Sequence, residues 1–269
     1  MNLNYNQQDY VLDNPKEFKR LEDQVLQKAY SLEDELRHLD LRPGDRVLDA
    51  GCGSAVLSKF LIKKVPNITI DACDYSDLRI QQAQNLNTQS ERITYHLSDL
   101  GSLPFAEGTF DVVISRYVFE YLKNPIEICH ELKRVLRPGG IVYLIDLDGV
   151  FQNFWTANSR FNELLSLLEK KLDFDLFVGR KLPSILNQAG FKNISWDASI
   201  HLFNESEEIQ KEIQNNFTRL VGAKEPFSKI LGGEEVFDEF FHLYLEEMKK
   251  IETNGNVLFF NKFLAWGRK

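Results

Sequence analysis

The chain has 269 residues, of which 43% are hydrophobic and 27% are charged, and its formal net charge is −8. This length and hydrophobic content allow a full core, and α/β chains of this size commonly form one domain. The acidic charge comes without a basic stretch, which argues against a nucleic-acid partner because phosphate binding depends on clustered Lys and Arg.

Targeting and metal-binding patterns are missing from the sequence. No run approaches the roughly 18 apolar residues of a membrane-spanning helix, and the polar start has no signal-peptide pattern. Three cysteines without C-x-x-C pairing and five histidines without ligand spacing predict that there is no metal site. We therefore expect a cytoplasmic protein with no membrane partner, as a monomer or a homodimer.

The first predicted element is a helix that begins at Pro15. Asn14 is a suitable N-cap, proline suits the first helical position, and Glu17 lies three residues after the cap. Residues 1–40 are thus predicted to form a helical arm before the sheet.

Residues 46–55 run from a buried-strand pattern into a glycine turn and then into a helix. The strand positions are apolar, as a central parallel strand requires, and Gly51 and Gly53 let the backbone turn sharply. Burying the Asp49 carboxylate at the end of such a strand is energetically unfavourable unless a cationic or hydrogen-bond-donating group contacts it. The segment therefore predicts a cofactor cradle.

A second strand, residues 68–74, ends in another acid, Asp74, 21 residues after Gly53. An acid at about this spacing normally accepts hydrogen bonds from ribose hydroxyls, so NAD and S-adenosylmethionine both fit. Val56 stands where the dinucleotide fingerprint has its third glycine, which weakens the NAD interpretation.

Three further strands are predicted before residue 150. They cover residues 95–100, which include the acid Asp99, residues 109–117, and residues 136–146, where a turn precedes the strand. Strands that alternate with helical patterns predict a parallel sheet.

These motifs, in this order, resemble those of the class I S-adenosylmethionine-dependent methyltransferases. The resemblance rests on Val47–Gly53, Asp74, Asp99, Phe110–Asp111 and the Leu136–Gly140 turn, and it covers residues 41–150 densely. It returns at Gly179–Pro183 and Gln188–Phe191, before a predicted sixth strand, and at Phe259–Lys269, the predicted seventh strand. One departure is Ala55, which replaces the family's usual third glycine; we expect its methyl group to be tolerated.

The resemblance implies an α/β fold: a Rossmann-like, doubly wound sheet of seven strands with an antiparallel last strand, an N-terminal helical arm and an inserted helical cap. We interpret residues 1–269 as a single domain. Its parts are the arm (1–40), the cofactor-binding core (41–150), the helical cap elements (151–178 and 204–253), and the closing helix and strands (179–203 and 254–269).

The resemblance also implies a set of cofactor-binding residues. They are Arg20, Asp49, Gly51, Cys52, Gly53, Asp74, Tyr75, Ser98, Asp99, Leu100, Ser115 and Arg116. The glycine loop would approach the amino-acid part of the cofactor, Asp49 its ammonium region, Asp74 the ribose and residues 98–100 the adenine. Ser115 and Arg116 would face the reacting methyl group or the carboxylate. In the alternative interpretation, Arg20 belongs to a solvated helix face and Arg116 to a surface ion pair.

The two cap segments are rich in aromatic residues at helical spacing. Such a stripe is ordinarily core, but a layer inserted between the last strands lies over the carboxyl ends of the sheet, where ligands bind. Phe154, Trp155, Phe240 and Tyr244 are therefore candidates for lining an acceptor pocket.

The expected function is transfer of the methyl group of S-adenosylmethionine to a small organic acceptor, such as a natural product, by in-line displacement. Positioning supplies much of the acceleration in such a reaction, so a catalytic base is optional. Tyr117, Glu120 and His201 are the candidate bases. A methyltransferase that acts on protein or RNA, and a cofactor-binding module without turnover, remain as alternatives.

Overall fold

The computed structural model describes residues 27–86, 91–149, 153–254 and 256–269. The helix predicted from Pro15 and the candidate cofactor residue Arg20 lie outside the described residues, so both remain predictions.

Seven strands form one sheet, which confirms the predicted fold class. The strands are β1 (Arg46–Ala50), β2 (Thr69–Asp74), β3 (Ile93–Leu97), β4 (Phe110–Arg116), β5 (Leu136–Leu147), β6 (Lys192–Phe203) and β7 (Leu258–Arg268). Their order in the sheet is β3-β2-β1-β4-β5-β7-β6. The first five strands pair in parallel, whereas β7 is antiparallel to both β5 and β6.

The third predicted strand was too long at its carboxyl end. β3 ends at Leu97, and the predicted strand residues Ser98, Asp99 and Leu100 follow it in a loop. The Asp99 carboxylate accepts a hydrogen bond from the Gly101 N–H at 2.8 Å. This short polar side chain thus stabilises a turn in place of a further ladder position.

The helices flank the sheet and build the cap. They are α1 (Leu32–Glu35), α2 (Val56–Lys64), α3 (Asp77–Leu86), α4 (Pro125–Val135), α5 (Ser159–Lys171), α6 (Leu182–Gln188), α7 (Ser206–Gly222), α8 (Lys224–Leu231) and α9 (Glu234–Asn254). Short 3₁₀ turns lie at Lys28–Tyr30, Phe119–Tyr121 and Gly179–Lys181. None of the described helices combines the length and the apolar composition needed to cross a bilayer.

Central strands bury both of their faces, as a doubly wound sheet requires. In β1, Val47 packs into the apolar cluster on one face of the sheet and Leu48 into the cluster on the other. In β4, Val112 and Val113 divide in the same way. Because β1, β2, β3 and β4 are parallel neighbours, their carboxyl ends meet at one edge of the sheet.

The cap has its own apolar cluster, built from α5, α7, α8 and α9. Phe240 and Tyr244 are fully buried in it, and the Phe240 ring stacks on Phe161 with centroids 5.4 Å apart. Phe154 is also buried, whereas Trp155 is 71% exposed. Three of the four aromatic candidates for an acceptor pocket are therefore packing residues of the cap.

Candidate functional site

The glycine loop after β1 is tied to the end of β2. The N–H groups of Gly51 and Cys52 donate to the carbonyl of Cys73 at 2.9 and 2.8 Å. Gly51 has φ +82°, and a Cβ there would lie 2.4 Å from a methyl group of Val118. Only glycine fits this position, because the segment after β4 packs directly against the loop.

Ala55 closes the loop in the left-handed conformation, with φ 58° and ψ 31°. Its N–H donates to the Cys52 carbonyl at 2.8 Å, and its own carbonyl accepts the Lys59 N–H at 2.9 Å. The chain thus makes the turn with alanine, at a strain of about 1 kcal/mol relative to glycine.

The Asp74 carboxylate joins the end of β2 to the same loop. One oxygen accepts the Gly53 N–H at 2.8 Å and the other accepts the Ser76 N–H at 3.0 Å. A carboxylate oxygen can accept more than one hydrogen bond. Tyr75 follows Asp74 directly and is half-buried.

Asp49 is a buried carboxylate near the carboxyl end of β1, beneath the glycine loop. Its Oδ2 accepts a hydrogen bond from the Ser58 hydroxyl at 2.6 Å. Burial raises the pKa of Asp49 to about 6; the Ser58 hydrogen bond opposes this rise, and the negative charge of Asp74 adds to it. A cationic group placed beside Asp49 would stabilise its ionised form.

Residues after β3 lie beside the end of β2. The Ser98 N–H donates to the Asp74 carbonyl at 2.9 Å. Leu100 is buried and Asp99 is half-buried. The structure thus brings the residues predicted for ribose and adenine to neighbouring strand ends.

Ser115 and Arg116 end β4, next to β1. The Ser115 hydroxyl donates to the Ala50 carbonyl at 2.8 Å and is buried. Arg116 is paired with Glu35 of α1, and its side chain is 12% exposed. The alternative of a surface ion pair for Arg116 is therefore wrong, because the pair that forms is buried. Arg116 is also close enough to lower the pKa of Asp49.

Sequence reasoning missed Glu35, on which several groups converge. Its side chain is fully buried and accepts hydrogen bonds from Arg116 Nη2 at 3.2 Å, Tyr117 Oη at 2.6 Å and Lys262 Nζ at 3.2 Å. The basic groups hold the pKa of Glu35 below its usual range despite burial. This carboxylate fixes the segment before β1 to the end of β4 and to β7.

The three candidate bases have different surroundings. Tyr117 has φ +57°, and burial together with Glu35 raises its pKa well above the ordinary value, so the phenol keeps its proton at neutral pH. His201 lies on β6, which β5 and β7 separate from β4, about 14 Å at the usual strand spacing. Glu120 is buried beside Asp146, whose pKa is raised by burial and by the charge of Glu120.

Asp146, also missed, organises the segment that covers Gly51. Its carboxylate accepts N–H bonds from Val118 at 3.2 Å, Phe119 at 2.8 Å and Glu120 at 3.4 Å. It thereby caps the 3₁₀ turn after β4 and positions Val118 over the loop. An acid in an apolar strand pattern was the only sequence signal for it.

Residues 48–144 match the model of a methyltransferase domain family. The chain is 29% identical over 168 residues to the biotin biosynthesis bifunctional protein BioHC of Teredinibacter turnerae, a match that covers 57% of this chain and 27% of that protein. It is 29% identical over 148 residues to a ubiquinone biosynthesis O-methyltransferase of Hydrogenovibrio crunogenus, with coverage of 54% and 61%. The chain therefore matches less than two thirds of the length of these relatives.

Among solved structures, the chain superposes on a phosphoethanolamine N-methyltransferase 2 of Haemonchus contortus in complex with S-adenosyl-L-methionine. The TM-score is 0.61 at 18% identity, and the alignment covers 97% of this chain and 59% of that one. This likeness concerns the fold. The methyltransferase-domain match over residues 48–144, the relatives named as methyltransferases and this fold together confirm the resemblance to the class I S-adenosylmethionine-dependent methyltransferases that the sequence motifs indicated.

Proposed function

We propose that the protein binds S-adenosylmethionine at the carboxyl ends of β1 to β4 and transfers its methyl group to a small organic acceptor. The observation that carries the proposal is the glycine loop, held by the Cys73 carbonyl and the Asp74 carboxylate and packed against Val118. The loop presents a backbone surface without side chains to a ligand, with carboxylates on either side.

The charges at this edge suit a cationic cofactor. Asp49 and Asp74 are both buried, and the negative charge of Asp74 disfavours ionisation of Asp49. S-adenosylmethionine carries a sulfonium and an ammonium group, which relieve that repulsion, whereas the pyrophosphate of NAD would increase it. The same pair of acids therefore favours S-adenosylmethionine over NAD on electrostatic grounds.

Each group at the edge has a definite task in this proposal. Asp49 meets the ammonium group, Asp74 accepts from the ribose hydroxyls, and residues 98–100 line the adenine. The glycine loop and Val118 hold the amino-acid part, while Arg116, turned towards Glu35, closes the side next to the segment before β1.

The bound cofactor supplies an activated methyl group with a good leaving group, so the protein's contribution is chiefly to align an acceptor in line with it. Tyr117 supports this view, because a phenol with a strongly raised pKa that donates to Glu35 is a positioning group and not a base at neutral pH. The apolar cap excludes water from the reacting atoms. A small acceptor fits an acidic chain better than a polyanion such as RNA does. The ubiquinone-pathway name of one relative is in line with a small acceptor.

The decisive experiment is calorimetric titration with S-adenosylhomocysteine and, separately, with NAD. We expect binding of the first and none of the second. Asp74→Ala should weaken S-adenosylhomocysteine binding roughly 5- to 150-fold, because it leaves the ribose hydroxyls without a charged acceptor. Asp77→Ala, an exposed acid three residues later, is the matched control and should bind normally.

Two outcomes would overturn the proposal. Tight NAD binding without an S-adenosylhomocysteine signal would reverse the cofactor assignment. Unchanged affinity in Asp74→Ala would remove Asp74 from the site. Turnover is then tested with labelled S-adenosylmethionine and three sets of acceptors: small hydroxy and amino compounds, an RNA pool and an acyl-carrier protein. Labelling of RNA or protein alone would favour a methyltransferase that acts on macromolecules. Cofactor binding without any labelling would favour a binding module without turnover.

A further inference from the structure

One edge of the sheet is long and open. β6 has 12 residues, whereas β3 at the opposite edge has 5. In the described part of the chain, the only strand that pairs with β6 is β7. The outer side of β6 therefore carries a row of backbone N–H and C=O groups without a neighbouring strand, which is a template for another strand.

From Trp196 to Leu202, the exposed side chains of β6 are apolar. Trp196, Ile200 and Leu202 are 60%, 64% and 48% exposed, and Ala198 between them is also exposed. They share one face because side chains alternate along a strand. No charged residue interrupts this face between Ile194 and Leu202. Natural edge strands usually carry charges or proline there, so the pattern departs from that of a protected edge.

The other face of β6 is already occupied. Asp197 binds Arg37 Nη2 at 2.6 Å and His38 Nε2 at 2.7 Å, and the Ser199 hydroxyl donates to Asp34 at 2.8 Å. The segment around α1 thus covers that side and holds β6 in place. A partner can add to the edge and to the apolar face without disturbing these contacts.

Charge is distributed unequally along the edge. Its start is basic, with Lys192 exposed and paired in register with the exposed Arg268. Its end leads into the exposed acids Glu205 and Glu207. If a second copy of β6 pairs antiparallel with this one, the acidic end of each strand lies beside the basic start of the other. Charge therefore favours a second copy of this chain over an unrelated strand.

We propose that two copies of the protein associate through β6, pairing antiparallel about a two-fold axis at Ala198 and joining their sheets. In this register Trp196 lies opposite Ile200 of the second copy, and Leu202 lies nearest to the half-buried Ile194, beside the irregularity of β6 between Lys192 and Ser195. Every exposed apolar side chain of the strand then gains an apolar cross-strand neighbour, and the small Ala198 faces itself at the axis. The interface lies at the β6 edge of the sheet, away from β1 and β2. The cofactor assignment and the dimer can therefore be tested independently.

The first test is sedimentation velocity of the full chain over a range of concentrations. We expect a dimer for the wild type and a monomer for Trp196→Lys and for Ile200→Lys, because each buries a charge opposite an apolar side chain of the second copy, at two symmetric places in the interface. Leu86→Lys, at a position that is 48% exposed at the end of α3, is the matched control and should remain dimeric. Unchanged circular dichroism of each variant checks that folding is intact.

The second test fixes the register. The native cysteines Cys52, Cys73 and Cys129 are all buried, so a new cysteine on β6 is the accessible thiol among the described residues. Under oxidised glutathione, Ala198→Cys should form a reducible covalent dimer, since residues that face each other across antiparallel strands have Cα atoms about 4.5 to 5.5 Å apart. Ser195→Cys, on the same strand but away from the axis, should not. A wild type that is monomeric at all concentrations, or dimers that survive Trp196→Lys, would overturn the proposal.

Discussion

Asp49→Asn separates what this acid does for a ligand from what it costs the folded protein. The substitution keeps the shape of the side chain and an oxygen that can accept the Ser58 hydroxyl hydrogen bond, but it removes the charge. It therefore tests whether the buried carboxylate of Asp49 is retained for binding and at the expense of stability.

The magnitude follows from the pKa. Burial raises the pKa of Asp49 from 3.8 to about 6, and each pKa unit corresponds to about 1.4 kcal/mol. The folded state holds this proton more tightly than the unfolded state, so stability falls as pH rises from 3.8 to 6 and is then constant. Above pH 6 the ionised group thus costs the folded protein about 3 kcal/mol, and below pH 3.8 it costs nothing.

We expect Asp49→Asn to be more stable than the wild type by up to about 3 kcal/mol at pH 8, and by roughly half of that at pH 5. Urea denaturation at both pH values, without ligand, measures the free energy of unfolding. S-adenosylhomocysteine should nevertheless bind the variant about 10- to 100-fold more weakly, because a charge-assisted hydrogen bond to the ammonium group is lost.

Ser58→Ala is the companion variant. It removes the hydrogen bond that lowers the pKa of Asp49, so it should steepen the loss of stability between pH 5 and pH 8. An Asp49→Asn protein that is less stable than the wild type, or whose gain does not change with pH, would refute the reasoning about burial.

Three further substitutions test other parts of the site. Glu35→Ala should lower the free energy of unfolding in urea by about 3 to 5 kcal/mol, because Arg116 and Lys262 lose their buried partner. The control Glu33→Ala removes an exposed carboxylate and should change this free energy by less than about 0.5 kcal/mol. Similar effects of the two variants would argue against a buried cluster. Asp146→Ala should destabilise the protein by about 1 to 2 kcal/mol, because the 3₁₀ turn after β4 loses the carboxylate that caps it. It should also weaken S-adenosylhomocysteine binding measured by calorimetry, and Asp146→Asn should restore part of both losses. Normal binding in Asp146→Ala would show that Val118 does not contact the cofactor. Trp155→Ala should change the free energy of unfolding by less than about 0.5 kcal/mol and leave S-adenosylhomocysteine affinity unchanged, but it should alter the KM for the acceptor. The reverse pattern would show that the helical cap does not determine acceptor choice.

The fold was predictable because its signals are local. The strand before Asp49, the glycine turn after it and the acid at Asp74 lie within about 30 residues, and their spacing reflects one βαβ unit. The ends of elements were less predictable. Asp99 was placed in a strand, although its carboxylate forms a turn with Gly101, because a single polar residue after an apolar run fits both patterns.

The site was predictable only where its residues follow strands in sequence. Glu35 lies in the short helix α1 directly after the acids Glu33 and Asp34, and such a run of acids is typical of a solvated surface. Its buried state depends on Arg116 and Lys262, which are 81 and 227 residues away in the chain, and no spacing rule connects positions so distant.

The convergence of distant charges on Glu35 also explains why the sequence gives conflicting signals at Arg116. A basic residue that ends a central strand fits both a ligand contact and an ion pair, and the deciding partner comes from the segment before the sheet. Because Arg116 lies close to Asp49 as well as to Glu35, one guanidinium connects that segment to the floor of the proposed cofactor site. An acid that holds Arg116 in place therefore acts on the site from outside it, and only tertiary structure brings such a residue into view.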